Sequence, residues 1–244
     1  MMRFTGERVV PGMTPPRIYA DHLARYEFSE VYVRSKQVLD AACGTGYGSA
    51  TLLARGAARV SGIDISAESI QYASGHFANR QTQFAVGNVK QLPFINQCFD
   101  VVVSFETLEH LTGVPQYLTE VSRVLRADGT FIVSSPNRVV TSPGYPRPIK
   151  IPRNEFHVAE YSRKELNNLL FPHFEDVAFF GQRHVLGLFC AFPIWKVLSK
   201  LSSRAGERLL AGGSPKVTGM RPLLMIPRYW VAVCRGRRPK PIFR

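Results

Sequence analysis

Val38-Leu39-Asp40-Ala41-Ala42-Cys43-Gly44-Thr45-Gly46-Tyr47-Gly48 decides the fold of this chain. A short apolar run, starting at Gln37, breaks into closely spaced glycines, which is how a buried strand turns into a helix. In an open parallel sheet such a turn lies at the carboxyl ends of the strands, where ligands bind. The glycines let the backbone approach a ligand, and the next helix offers unpaired N–H groups. Dinucleotide-binding proteins use a related turn. Here the Gly-x-Gly-x-x-Gly spacing is absent, and Asp40 stands just before the turn. A carboxylate at that point repels a pyrophosphate and favours a cationic ligand.

The same order repeats on either side. A helical pattern covers Ile18 to Arg34, ahead of the first strand. Val60–Asp64, Thr82–Val86, Phe99–Phe105 and Thr130–Ser134 read as further strands, with helices over Glu68–Phe77 and Val114–Leu125. Phe99–Phe105 is almost wholly apolar, as a central parallel strand covered on both faces requires. Asp128-Gly129 reads as a turn into the strand at Thr130. Ser162 and Glu165 form a capping-box pattern for a helix to Leu170. Phe174–Phe180 and Tyr229–Arg235 read as two late strands forming an antiparallel edge. The whole predicts an α/β, doubly wound, seven-stranded, mostly parallel sheet.

These motifs resemble those of the class I S-adenosylmethionine-dependent methyltransferases across most of residues 36–136. Val38–Gly46 resembles their first motif, with Ala42 in place of the usual first glycine. Gly62-Ile63-Asp64-Ile65-Ser66 resembles the second, in which the acid binds both ribose hydroxyls. Gly87-Asn88-Val89-Lys90-Gln91-Leu92-Pro93-Phe94 resembles the adenine-binding turn, with Asn88 where Asp is commoner. Phe99–Ser104 and Leu125–Thr130 complete the set. The resemblance implies a Rossmann-like methyltransferase fold with S-adenosylmethionine as cofactor. It assigns Asp40 and the Gly44/Gly46 loop to the methionyl part, Asp64 to the ribose, and Asn88 with Val89 to the adenine, with Ala41, Ile65 and Phe105 as further cofactor-binding residues. A weaker resemblance, to bacterial glycan and secondary-metabolite methyltransferases, rests on Phe4–Arg8, His22–Tyr26 and Phe156–Tyr161. It implies an N-terminal helix over the cofactor, with His22 and Tyr26 either touching it or packing on the sheet.

The acceptor side is carried by Phe105-Glu106-Thr107-Leu108-Glu109-His110-Leu111. In a helix, Glu106, Glu109 and His110 fall at i, i+3 and i+4 on one face. Two carboxylates and an imidazole suit a divalent metal such as Mg, with His157 as a fourth donor. The arrangement resembles the Glu-x-x-Glu-His O-methyltransferases of ubiquinone biosynthesis and of small-RNA 3′ ends. Without a metal, His110 or His157 is the candidate general base. A third alternative leaves these residues to packing alone.

The 244 residues form one predicted domain: an N-terminal cap over 1–35, a core over 36–182, a basic helical insertion over 183–225, and a last strand with a basic tail over 226–244. The net charge of +13 sits almost wholly at the C-terminal end, where residues 181–244 carry 13 Lys and Arg against Glu207 alone. Such asymmetry points to an anionic partner: a membrane surface, a nucleic acid or a phosphorylated acceptor. Lys196, Lys200, Arg204 and Arg208 form a basic stripe on a predicted helix over Ile194–Leu210, and a basic amphipathic helix suits a membrane interface. Interleaved aromatics for stacking bases are sparse, which ranks nucleic acid below a small hydroxylated, sugar or lipid-linked acceptor. A binding protein that keeps the pocket without turnover is the other alternative. The four scattered cysteines and the absence of an apolar leader read as cytoplasmic, with the inner membrane face as a peripheral location.

Overall fold

A computed structural model describes residues 8–143, 150–190, 213–220 and 224–238. The chain opens with helices α1 (Pro16–Phe28) and α2 (Glu30–Val33). Strand β1 (Gln37–Ala41) leads into α3 (Tyr47–Ala54), then β2 (Arg59–Asp64), α4 (Ala67–Phe77), β3 (Thr82–Val86) and β4 (Phe99–Ser104). A single 3₁₀ turn at Leu108–His110 precedes α5 (Val114–Val124) and β5 (Leu125–Pro136). The short α6 (Arg138–Thr141), α7 (Arg163–Leu170), β6 (Phe174–Leu186) and β7 (Met225–Arg237) follow.

The seven strands form one sheet in the order β3-β2-β1-β4-β5-β7-β6. The first five are parallel, and β7 runs antiparallel to both β5 and β6. Strand order reverses between β1 and β4, so the crevice for a ligand opens there, beyond their carboxyl ends. Alternation along the strands builds two cores. Leu39, Val102, Phe131 and Val133 face α5 and α7, while Val38, Val101, Val103 and Ile132 face α1 and α3. Helix α5 buries Val114, Tyr117, Leu118, Val121 and Val124 at helical spacing. Burying each of these Val and Leu side chains contributes roughly 1.5–3 kcal/mol.

Three expectations change in detail. The predicted helix over Ile18–Arg34 is two helices broken at Ser29. Asp128-Gly129 makes no turn before a strand; β5 already runs from Leu125, and residues 126–129 form a bulge between the pairs Phe99–Leu125 and Val101–Thr130. Gly129 is required there, because a Cβ would meet the carbonyl oxygens of Arg126 and Asp100 at 3.0 and 3.1 Å. Both late strands are longer than predicted, so residues 183–186 belong to β6 rather than to an insertion. The capping box on α7 forms as expected, from Ser162 and Glu165. The predicted helix over Ile194–Leu210 and residues Phe4–Glu7 of the Phe4–Arg8 stretch lie outside the described residues.

Candidate active site

A cavity of about 830 Å³ opens at the carboxyl ends of β1 and β4. Its first half is shaped by the loop after β1. Ala42 and Gly44 take positive φ (63° and 54°), which swings Cys43 and the Gly44 amide round the end of the strand. Asp64, closing β2, ties two loops together: one oxygen accepts the Gly44 N–H at 2.9 Å and the other the Ser66 N–H at 2.9 Å. Ala42, Cys43, Gly44, Asp64, Ile65 and Phe105 all face the cavity, as do Asn88 and Val89. The Asn88 side-chain oxygen accepts the Lys90 N–H, which fixes the turn and orients the amide.

Three residues assigned to the cofactor from the first motif do not face the cavity. Asp40 is fully buried beneath the loop, accepting from Ser49 Oγ at 2.7 Å and from Tyr26 Oη at 3.3 Å. Burial pushes its carboxyl up to about 7. Ala41 is enclosed in the sheet. Gly46 begins α3 at φ 81° and packs so tightly that a Cβ would lie 2.6 Å from Ala73 and 2.9 Å from Phe84.

The N-terminal segment covers this half. Arg8 reaches Glu68 and Ser66, and the Val9 carbonyl accepts from Thr45 Oγ1 at 2.8 Å. Tyr26 stands edge-on to Phe105, with ring centroids 4.9 Å apart, and its ring fills the space a Cβ on Gly48 would need. His22 Nδ1 lies 3.1 Å from Tyr47 Oη, and burial together with Arg25 holds the imidazole well below its usual range. Both His22 and Tyr26 line the cavity.

The second half departs from the helical face that the sequence suggests. Residues 105–111 contain only the 3₁₀ turn, and Glu106 precedes it at φ 51°. Ser134 Oγ accepts the Glu106 N–H at 3.0 Å and donates to its Oε1 at 2.6 Å. Buried Arg25 stands 3.9 Å from the same oxygen and donates to Gln182 at 2.6 Å. Glu106 is therefore drawn toward β5 and α1. The ligand atoms that lie within 4.8 Å of one another are those of Glu109, His110 and His157, without Glu106.

Glu109 is wholly buried, and neither carboxylate oxygen has a hydrogen-bond partner among the described residues. Burial, reinforced by Glu106, pushes its carboxyl well above the usual range. Its carbonyl accepts the N–H groups of Val158 (2.7 Å) and Ala159 (3.2 Å), which docks the 150–161 segment onto the turn. His110 Nδ1 lies 3.0 Å from the Phe156 carbonyl, so that nitrogen carries the proton and Nε2 is the accepting atom. The rings of His110 and His157 meet edge to face at 5.0 Å.

The tautomer of His157 follows from its neighbours. Asn154 Oδ1 accepts the Phe156 N–H, so its amide nitrogen faces His157 Nε2 at 2.8 Å. His157 Nδ1 then donates to Glu160 Oε1 at 2.8 Å. Glu160 Oε2 accepts from Thr141 (2.6 Å) and Ser142 (2.8 Å). Burial works to raise the Glu160 carboxyl, but the bonds from His157, Thr141 and Ser142 outweigh it and hold the group below its usual range. Sequence reasoning missed Glu160, Asn154 and Arg25. Glu160 had a local signal, since it follows His157 by three residues; Arg25 had none.

The methyltransferase domain family matches residues 39–133. A Mycolicibacterium smegmatis protein named as an S-adenosylmethionine-dependent methyltransferase is 36% identical over 207 residues, which are 84% of this chain and 74% of that protein. A Mycobacterium tuberculosis protein of the same description is 34% identical over 186 residues, 75% of this chain and 65% of its own length. A fatty-acid O-methyltransferase of M. smegmatis is 32% identical over 131 residues, so the chain spans about half of that enzyme (47%) and the match takes in 50% of this chain. Among solved structures, a chain of the Haloferax volcanii complex between the Trm112 methyltransferase activator and a methyltransferase is similar in fold, with a TM-score of 0.63 at 19% identity over 93% of this chain and 92% of that one.

Proposed function

Because the chain belongs to the S-adenosylmethionine-dependent methyltransferases, we propose that it O-methylates a hydroxyl of a lipid-linked, sugar or other small-molecule acceptor, assisted by a divalent cation at Glu109, His110 and His157. The observation that carries this reading is the Glu109 carboxylate. A buried carboxylate with no hydrogen-bond partner is strongly disfavoured unless a cation or proton accompanies it. A ring nitrogen of His110 and one of His157 lie within 4.8 Å of it and of each other, and one carboxylate with two imidazoles is a donor set for a borderline divalent ion such as manganese or iron(II) rather than for magnesium. The relative that acts on fatty acids supports a lipophilic acceptor and transfer to oxygen.

The cofactor half supplies the donor's seat. Asp64 offers a carboxylate already oriented by two backbone amides, suited to a pair of ribose hydroxyls. Ile65, Asn88 and Val89 border the adenine position, and the Gly44 loop borders the methionyl part. S-adenosylmethionine supplies an electrophilic methyl group for in-line displacement. Tyr26, His22 and the strap at Arg8–Val9 cover that half and exclude water from it. Arg25 and Ser134 hold Glu106 at the junction of the two halves.

An aliphatic hydroxyl is a poor nucleophile at neutral pH, and a bound cation lowers its pKa and fixes its position. Asn154 and Glu160 keep His157 in the tautomer whose Nε2 accepts, and a cation taking that lone pair would displace the Asn154 amide from it. The Phe156 carbonyl fixes the same tautomer in His110.

The test incubates the chain with methyl-labelled S-adenosylmethionine and hydroxylated lipid and glycolipid acceptors, with manganese or with chelator. Label should appear in an ether, and both chelator and Glu109→Ala should abolish it while cofactor affinity stays within about threefold, given that Glu109 lies outside the donor's seat. Full turnover in chelator overturns the cation. Label on nitrogen or carbon overturns O-methylation.

A further inference from the structure

The carboxyl edge of the sheet, around the cavity mouth, exposes apolar side chains among basic ones. On the 150–158 segment Ile151 is 79% exposed and Val158 54% exposed. At the tip of the β6–β7 pair Leu224 is 75% and Leu186 46% exposed. Single exposed apolar residues are ordinary on any surface. These are brought to one place by α6. Val140 of that helix packs with Val185, Cys190 and Ile226 at the strand tip. Ser142, just beyond it, accepts the Arg153 N–H of the loop at 3.2 Å. The loop and the tip therefore flank one short helix, and Val140, Arg153 and Arg228 line the cavity between them.

Charge on this edge is predominantly basic. Segments 150–158, 213–220 and 224–228 carry Lys150, Arg153, Lys216 and Arg228 against Glu155 alone. Arg17 stands close enough to Arg183 and Arg228 that, beyond the effect of burial, their like charges lower its pKa, offset in part by Asp21, which pairs with Arg183. In sequence, the stretch between β6 and β7 adds Lys196, Lys200, Arg204, Arg208 and Arg221, with Glu207 as its one acid. Apolar side chains standing out of a basic field are what an anionic lipid surface binds. A nucleic acid would use the basic residues and leave the apolar ones without a partner.

We infer that this edge seats on an anionic membrane, with Ile151, Val158, Leu186 and Leu224 entering the headgroup region and the cavity mouth facing the bilayer. The inference rests on the lipid-linked acceptor proposed above, since a mouth so placed takes its substrate from the membrane. No helix among the described residues is long and apolar enough to cross a membrane, so the attachment is peripheral.

The experiment sediments the full chain with vesicles of phosphatidylcholine alone and of phosphatidylcholine mixed with phosphatidylglycerol. Binding should require phosphatidylglycerol and weaken with salt. Ile151→Ser/Val158→Ser/Leu224→Ser should bind at least about tenfold more weakly. Lys150→Gln/Lys216→Gln should lose about fivefold for each charge removed. Unchanged S-adenosylmethionine binding by calorimetry shows that each variant is folded, and Leu224→Ser alone serves where the triple variant is not. Equal binding to both vesicles, or no loss in the apolar variants, overturns the inference. So does RNA binding that displaces the vesicles and depends on the lysines alone. Methyl transfer to a soluble hydroxyl without vesicle binding refutes this inference and leaves the proposed reaction standing. Vesicle binding without any methyl transfer does the reverse.

Discussion

Asp40→Asn separates two roles for the acid before the glycine turn. The carboxyl is wholly buried and titrates at about 7, against 3.8 for its ordinary value. The folded chain thus holds the proton more tightly than the unfolded chain does. The sign follows directly: this contribution to stability is fully present below about pH 3.8 and is lost as pH rises, levelling above about pH 7. Integrating the linkage relation from about pH 5 to about pH 8 gives a loss of about 2–3 kcal/mol from this one group. Asparagine keeps an acceptor for Tyr26 and offers an amide to the Ser49 hydroxyl, but it cannot ionise. Urea unfolding of wild type and variant across that range isolates the effect, because titrating groups distant from Asp40 cancel in their difference. The variant should gain about 2–3 kcal/mol on wild type between the two limits. A difference that stays flat within about 0.5 kcal/mol would refute the reasoning, since that is the ordinary error of such comparisons. Asp40 would then sit in a wetter or cation-bearing site.

Asp64→Ala should weaken S-adenosylmethionine binding about a hundredfold by calorimetry, two charge-assisted hydrogen bonds being worth about 3 kcal/mol together; a loss under threefold would remove it from the ribose site. Gly48→Ala drives a methyl to 2.0 Å from the Tyr26 ring, so calorimetric Tm should fall by roughly 4–8 °C, from at least about 2 kcal/mol of overpacking. An unchanged Tm would mean that Tyr26 is free to move aside. Glu160→Gln should lower manganese affinity about 10–100-fold, read by paramagnetic resonance, with cofactor affinity unchanged. Equal manganese affinity would show that Glu160 only packs.

How far the site was legible depended on how local each part is. Asp64, Gly44 and Asn88 act through bonds to backbone a few residues away or across one strand pair, and their motifs announced them. Thr82–Val86 matched its strand to the residue because period-2 patterning needs no tertiary context. Asp40 was read by its place in the motif, yet its side chain turns down to Ser49 on α3 and Tyr26 on α1, contacts no spacing rule contains. The bulge at 126–129 was hidden for the same reason: it exists because Arg126 pairs with Asp100 on the neighbouring strand. Arg25, buried against Gln182 some 157 positions on, left no mark in its own segment.

The helical face expected for Glu106, Glu109 and His110 does not form, for one specific reason. An i, i+3, i+4 pattern implies a shared face only if the backbone between is helical, and Glu106 breaks that condition at φ 51°. A non-glycine residue there costs roughly 1–3 kcal/mol and persists only where its surroundings hold it. Ser134 holds it twice, through the backbone amide and the carboxylate. The consequence reaches the chemistry. With Glu106 turned aside, the chain re-enters as a single 3₁₀ turn that carries Glu109 inward, and the 150–161 segment closes over it through the Glu109 carbonyl and His110. The strained residue, the orphan carboxylate and the docked histidine loop are therefore one arrangement. Relaxing Glu106 into a helix would bring the carboxylates onto one face, at the cost of the burial and the loop contacts that make Glu109 call for a cation.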